Sequence, residues 1–366
     1  MQLDLGQPPD PRVDSHHPLR SVRSTIQVNL YGEPYRSRFR WWRACTVLED
    51  GPSGWQCPNV ITRLAARHRT IAVLTLAAVP SLAAAPARAA AARPAAGPAG
   101  VGARSALLYD ATSGTTVWSR AADTERPIAS ITKVMTALVV LHEGGLGREI
   151  KIKRKYLTYA KKHDGSTAGL HAGDRLTVRQ LLNALLLPSG CDAAYALADA
   201  YGPGKGRFVA KMNEAARELG LDHTVYANFD GLPWPTATST RSTARDQVRL
   251  AGYAMDDAVF RTTVGRRTYR LARTTTHHAY TWSNTNRLLG SYRGAAGIKT
   301  GTTDAAGYSL LFAARRDGRA LTGIVLNSST TDERARFTDA ARMLDWAFGS
   351  TDPYRVPPAP TNTTTD

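Results

Sequence analysis

Three short islands, Ser130-Ile131-Thr132-Lys133, Ser189-Gly190-Cys191 and Lys299-Thr300-Gly301, fall on three different kinds of local structure. A fold that uses them together must join a helix start, a corner between helices and a strand, and no bulk property of the chain restricts it as much. Pro127 sets a turn, after which Ile131, Val134, Met135, Leu138 and Leu141 recur at helical spacing. That period predicts a helix over 130–142, ended by Gly144 and Gly145. A strongly apolar helix over 178–187 is broken by Pro188, and another over 192–201 starts at once, so Ser189 occupies a tight corner. Residues 297–303 alternate like a strand, and 308–315 with 320–327 read as a hairpin around Asp317-Gly318. A further hairpin is predicted from 106–110 and 115–118 around Thr112-Ser113-Gly114.

The residue types in the islands suit acyl transfer through a serine. A serine in the first turn of a buried helix lies beside backbone N–H groups that lack helical partners, at the positive end of the helix dipole. That place suits a nucleophile, Ser130, whose product is an oxyanion. Lys133, three residues on, can reach the Ser130 hydroxyl from one turn away. An amine takes such a proton only where burial or a neighbouring cation favours its neutral form, and Lys299 could be that cation. Ser189, held in its corner, is expected to relay a proton between Lys133 and a leaving amine. Gly301 would let a substrate backbone approach the strand, and the N–H of Thr302 can donate into an oxyanion hole opposite that of Ser130. Lys299 and Thr300 can bind a substrate carboxylate. Taken singly, each island has a plain reading as well: Ser130 as an N-cap with Lys133 a surface lysine, and Ser189 as a capping serine.

The coincidence of all three, the signature of penicillin-binding proteins and class A β-lactamases, separates these readings. The segments 127–137 (PIASITKVMTA), 187–198 (LPSGCDAAYALA), 208–221 (FVAKMNEAARELGL) and 297–303 (GIKTGTT) closely resemble the D-alanyl-D-alanine carboxypeptidases, the low-molecular-mass serine penicillin-binding proteins. The resemblance runs from Ala106 to Phe348. It implies an α+β fold like that of the serine β-lactamases and penicillin-binding transpeptidases, an antiparallel sheet flanked by helices beside an all-α lobe. It implies a peptidoglycan stem peptide ending in D-Ala-D-Ala as substrate, an acyl-enzyme at Ser130, hydrolysis or transpeptidation of that intermediate, and β-lactams as covalent inhibitors. No cofactor is implied. Residues 164–166 and 169–174 resemble the family's loop ahead of the middle motif, and 228–232 (NFDGL) its N-x-x-G-L turn.

One position departs from the pattern. Most of the family has Asn where Cys191 stands, a substrate-contacting place, and a thiol is a weak donor and a weak acceptor. The S-G-C reading is similar to that of a minority of small actinobacterial DD-transpeptidases, so the departure bears on the balance of hydrolysis and transfer. Cys191 as nucleophile would need a local His or other cation, and no motif supplies one; its plain reading is a small buried or cleft-lining thiol. Two alternatives remain beside the peptidase: a penicillin-binding sensor or wall-binding protein with little turnover, and a β-lactamase. The latter lacks its deacylating E-x-x-L-N loop, since Glu214 and Glu218 fall on what reads as the solvated face of a helix over 207–219.

Outside 104–348, the expected catalytic domain, the chain speaks about location. Arg63, Arg67 and Arg69 precede an apolar run over 71–79 and a small-residue stretch with Ala85-Pro86-Ala87 and Ala87-Arg88-Ala89. This order reads as a signal peptide over 63–89, with an apolar run too short for a permanent anchor. Residues 1–62 are irregular, and translation from a downstream start such as the Val60 codon is expected; a cytoplasmic tail ahead of a signal anchor is the rival. Residues 90–103 read as an Ala/Pro/Gly linker and 349–366 as a disordered polar tail. Removal of 1–89 takes two of the three cysteines, Cys45 and Cys57, so no disulfide is expected. It also takes 11 of 47 basic and 6 of 30 acidic residues from a net charge of +17 and leaves +12. The excess reads as a solvated basic face, with no nucleic-acid motif beside it. The adjacent pairs His16-His17 and His277-His278 have no further ligands at zinc-like spacing, so no metal is expected. The mature protein is expected to be a secreted, cell-wall-associated monomer.

Overall fold

The computed structural model describes residues 97–351, 354–359 and the backbone of 363–365, so the expected upstream segment, the signal peptide and residues 90–96 lie outside the described residues. The chain enters through β1 (Ser105–Asp110) and β2 (Thr115–Arg120), the predicted hairpin. A short strand β3 (Arg126–Pro127) leads to a 3-10 turn, Ala129–Thr132, and to α1 (Lys133–Glu143). The helical lobe continues with β4 (Glu149–Lys151), α2 (Arg154–Lys162), β5 (Arg175–Thr177), α3 (Val178–Leu186), α4 (Cys191–Tyr201) and α5 (Lys205–Glu218). The start of α3 follows from its sequence: Thr177 and Gln180 exchange hydrogen bonds in a capping box. After β6 (Arg241–Ser242), which pairs with β3, Thr243 caps α6 (Ala244–Asp256) by accepting from the Asp246 amide.

Beyond α7 (Ala258–Val264) come β7 (Thr268–Leu271) and β8 (Ala279–Ser283), and then β9 (Ala295–Thr303), β10 (Gly307–Arg316) and β11 (Arg319–Leu326). The last helix is α8 (Ala335–Phe348). The main sheet is antiparallel with order β2-β1-β11-β10-β9, which leaves β9 at one edge. Its inner strands β1, β11 and β10 carry apolar runs because both of their faces are covered. Leu107, Leu311 and Ile324 point into the larger core, shared with α1, α6 and the helical lobe. Their neighbours Leu108, Leu310, Phe312 and Val325 point into a second core against Phe337, Ala340 and Leu344 of α8. This is the expected α+β layout, with α1 the shared wall between sheet and lobe.

Two segments differ from their expected character. Part of the expected linker is packed: Val101 and Ala103 belong to the second core, and the Gly102 amide donates to Asp339 Oδ1 at 2.9 Å. The expected disordered tail returns to the domain, where Tyr354 and Val356 pack against the second core and β12 (Thr363–Thr365) adds antiparallel to β8. Composition marked both as low in apolar residues, but a few of those residues fill gaps beside α8. Among the described residues, no helix is long and apolar enough to cross a membrane.

Candidate active site

Ser130 lies within the 3-10 turn, and the α-helix proper begins at Lys133. The tighter turn brings the two side chains together at once: Lys133 Nζ donates to Ser130 Oγ at 2.8 Å. Lys133 is fully buried, and its second acceptor is the carbonyl of Asp230 at 2.8 Å. That carbonyl belongs to the 228–232 turn, to which the sequence assigned no chemistry. Gly231 explains the turn's position, since at φ +81° it sits so close to the Ala129 carbonyl that a Cβ would overlap it. The turn therefore backs directly onto the segment that carries the serine. Burial pushes the Asp230 carboxyl up against the opposing pull of Lys133.

Ser189 occupies the corner between α3 and α4 at φ +67°, a left-handed conformation uncommon for a residue with a Cβ. Its hydroxyl is buried and has no hydrogen-bond partner within the described residues, a pattern that fits a group awaiting a ligand. The corner is tied to the third island through Thr285, whose amide donates to the Leu187 carbonyl at 3.1 Å and whose hydroxyl meets that of Thr300 at 2.7 Å.

Strand β9 brings Lys299, Thr300, Gly301 and Thr302 against the turn bearing Ser130. Gly301 is needed there: a Cβ would stand 2.7 Å from the Ile128 carbonyl oxygen. Its close approach here is to the protein's own turn. The amide of Thr302 faces off the sheet. Thr302 is paired with Tyr308, and Tyr308 spends its amide on Ser329 and its carbonyl on Ser328, away from β9. In an antiparallel ladder the opposite residue then points outward as well. The expected second oxyanion donor is accordingly aimed off the open edge, on the Ser130 side.

Lys299 is 1% exposed and donates to the Thr300 carbonyl at 3.0 Å. Burial, then the neighbouring charges of Lys133 and Arg336, pull its amine well below the ordinary lysine range. Lys299 and Thr300 both lie under the surface, while Thr302 on the same strand is exposed. Arg336 of α8, which sequence reasoning missed, donates to Thr302 Oγ1 at 2.7 Å and pairs with Glu333. Because that oxygen already accepts, the hydroxyl proton of Thr302 is turned outward as a donor. No motif marks Arg336, which lies 34 residues beyond Thr302 in the chain.

Cys191 has the buried position of its plain reading. It is fully buried, its amide donating to the Ser166 carbonyl at 2.7 Å and its sulfur packed beneath Gly165. Burial pushes its thiol up to about 12, against the pull of Lys133. A thiol held neutral in this way is no nucleophile. Its place is a small wall behind Lys133.

One cluster was not expected at all. The fold brings His171, Asp174 and His278 together, with ligand atoms within 4.8 Å of one another, although the sequence showed no metal-ligand spacing. Spacing rules read ligands within a loop, and these come from two segments 104 residues apart.

Residues 90–330 match the family described as D-alanyl-D-alanine carboxypeptidase. A D-alanyl-D-alanine carboxypeptidase of Streptomyces sp. (strain K15) is 44% identical over 249 residues, which cover 64% of this chain and 84% of that protein. The crystal structure of the Streptomyces DD-transpeptidase superposes with a TM-score of 0.64 at 42% identity, covering 68% of this chain and 98% of its own. A D-alanyl-D-alanine carboxypeptidase structure from Mycobacterium tuberculosis gives a TM-score of 0.61 at 31% identity, over 71% of this chain and 95% of its own.

Proposed function

The chain belongs to the D-alanyl-D-alanine carboxypeptidase family, and from that premise we propose the roles of its residues in cleaving stem peptides that end in D-Ala-D-Ala. The observation that carries the reading is the 2.8 Å bond between Lys133 Nζ and Ser130 Oγ at the start of a buried helix. Ser130 Oγ attacks the carbonyl between the two D-alanines while its proton passes to the Lys133 amine. The oxyanion is held by the amides of Ser130 and Thr302. Ser189 relays that proton from Lys133 to the departing amine, terminal D-alanine leaves, and an ester remains on Ser130. Water then yields the shortened peptide, or a stem-peptide amine yields a cross-link. The Thr302 hydroxyl, oriented by Arg336, takes the substrate's terminal carboxylate, and Lys299 contributes positive field from beneath. A β-lactam presents the same strained amide to Ser130 and stays bound as the ester.

Cys191 sets the hydrolysis-to-transfer balance from behind. A buried thiol beside Lys133 offers a deacylating water no strong hydrogen bond, which favours transfer to an amine. The substrate lies outside the cytoplasm, so the protein is exported, with residues 63–89 as its signal peptide, and works at the cell wall as a monomer.

Mass spectrometry of the purified protein with a diacyl-D-alanyl-D-alanine peptide and with benzylpenicillin, beside Ser130→Ala, tests the reading. D-alanine release and a penicilloyl adduct, both lost in the variant, are expected. An adduct without D-alanine release would favour a penicillin sensor, and no adduct at Ser130 would overturn the assignment.

A further inference from the structure

The cluster of His171, Asp174 and His278 lies apart from the catalytic groups, on the far side of the loop that walls the cleft. Asp174 precedes β5 and is buried. Its Oδ2 accepts from the Tyr280 hydroxyl and from the His278 amide at 2.9 Å, and its Oδ1 is 2.9 Å from His278 Nδ1. Burial pushes this carboxyl up, but those hydrogen bonds together outweigh it and hold it below the usual carboxylate range. The His171 ring lies stacked on His278, centroids 4.0 Å apart and planes 18° from parallel, and its Nδ1 is 3.3 Å from the Tyr280 hydroxyl. The histidines are part-exposed, so solvent reaches the cluster.

We propose that His171, Asp174 and His278 form a site for a first-row divalent cation of the zinc class. Two imidazoles and one carboxylate are a donor set that zinc accepts, and three protein ligands leave a fourth position for water. Ligand atoms about 2.1 Å from a tetrahedral ion stand roughly 3.4 Å apart. The present spread of up to 4.8 Å closes to that value by rotation of two part-exposed rings. Tyr280 supplies the outer-shell hydrogen bond that orients a ligating carboxylate. In the metal-loaded form the ion replaces the shared proton between Asp174 and His278.

The consequence is structural. His171 belongs to the loop over 163–174, and His278 to the approach to β8. The same loop carries the Ser166 carbonyl that accepts from the Cys191 amide. Its Ala168 and Leu170 amides bond Asp192 at 3.0 and 3.2 Å, and the Ala168 carbonyl accepts from Trp282 Nε1 at 2.8 Å. A cation joining the loop to β8 therefore braces the wall behind Lys133 without touching substrate.

The test is calorimetric titration of the full-length, chelator-treated protein with ZnCl2, in a His16→Ala/His17→Ala background to remove the other histidine pair. One equivalent is expected to bind. Both His171→Ala and His278→Ala should lose it, and Tyr280→Phe should weaken it by about 10- to 100-fold. Penicillin acylation retained in these variants shows that they fold. Should a variant fail to fold, Cu2+ electron paramagnetic resonance on the His16→Ala/His17→Ala protein decides, with two coordinated imidazole nitrogens expected. Absence of stoichiometric binding, binding that survives either histidine substitution, or fewer than two nitrogen ligands would overturn the site.

Discussion

The two buried lysines of the site make opposite uses of the same side chain. Lys133 is held by two acceptors, Ser130 Oγ and the Asp230 carbonyl, so its amine is fixed on the line along which a proton must move. Lys299 donates to one backbone carbonyl next to it in the chain, and its charge is opposed by burial, Lys133 and Arg336. A carboxylate arriving at Thr302 would relieve that opposition. The first lysine is thus placed for proton transfer and the second is left in a high-energy environment that an anionic substrate improves. In the proposed mechanism the helix start supplies chemistry, and the edge strand supplies recognition.

Removing the first amine should have the largest effect. Lys133→Met is expected to slow penicilloylation of Ser130 by about 10²- to 10⁴-fold, the usual contribution of a positioned base, read by mass spectrometry of the adduct against time. The contrast between the lysines would collapse if this variant acylated at the normal rate.

Lys299→Met should separate activity from stability. Acylation by D-alanyl-D-alanine peptides should fall by about 10²-fold or more, as for loss of one preorganised electrostatic group. The urea midpoint should hold or rise, because an opposed buried cation has been replaced by an apolar chain of similar size. The pH dependence carries the same sign. The folded protein sheds the Lys299 proton more readily than the unfolded chain does. From the lowered folded pKa up to the ordinary lysine value of 10.5 the unfolded state therefore binds more protons, and this group's contribution to stability rises with pH. Cys191 acts in the other direction above the ordinary thiol value of 9.0, since its thiol is pushed up to about 12. The wild-type-minus-variant difference isolates the lysine, and a flat difference across alkaline pH would remove the claim that Lys299 is electrostatically opposed.

Smaller effects test how the two sides are joined. Gly301→Ala places a Cβ 2.7 Å from the Ile128 carbonyl oxygen, so strand and turn must separate. A loss of about 1–3 kcal/mol in denaturant unfolding is expected, with slower acylation. Thr285→Val removes the hydroxyl contact to Thr300 and should cost about 1 kcal/mol, with a reduced rate of D-alanine release as the more sensitive readout. An unchanged rate there would mean that Ser189 and Lys299 keep their geometry without that tie.

Local periodicity determined the elements. The apolar spacing after Pro127, the break at Pro188 and the hairpin at Asp317-Gly318 each lie within a few residues, and the structure has α1, the α3–α4 corner and the β10–β11 hairpin where they predict. The three islands and the resemblance they carry were equally legible, since short motifs are read along the chain. Tertiary structure alone decided which groups those islands meet. The Asp230 carbonyl reaches Lys133 across 97 residues, Arg336 reaches Thr302 across 34, and His278 reaches Asp174 across 104. It also decided that Cys191, Lys299 and Thr300 lie beneath the surface, because burial depends on what packs above a residue and a one-dimensional pattern does not carry that. Sequence spacing encodes the period of a helix or a strand; the partner across a cleft is set by how sheet and helical lobe pack on α1.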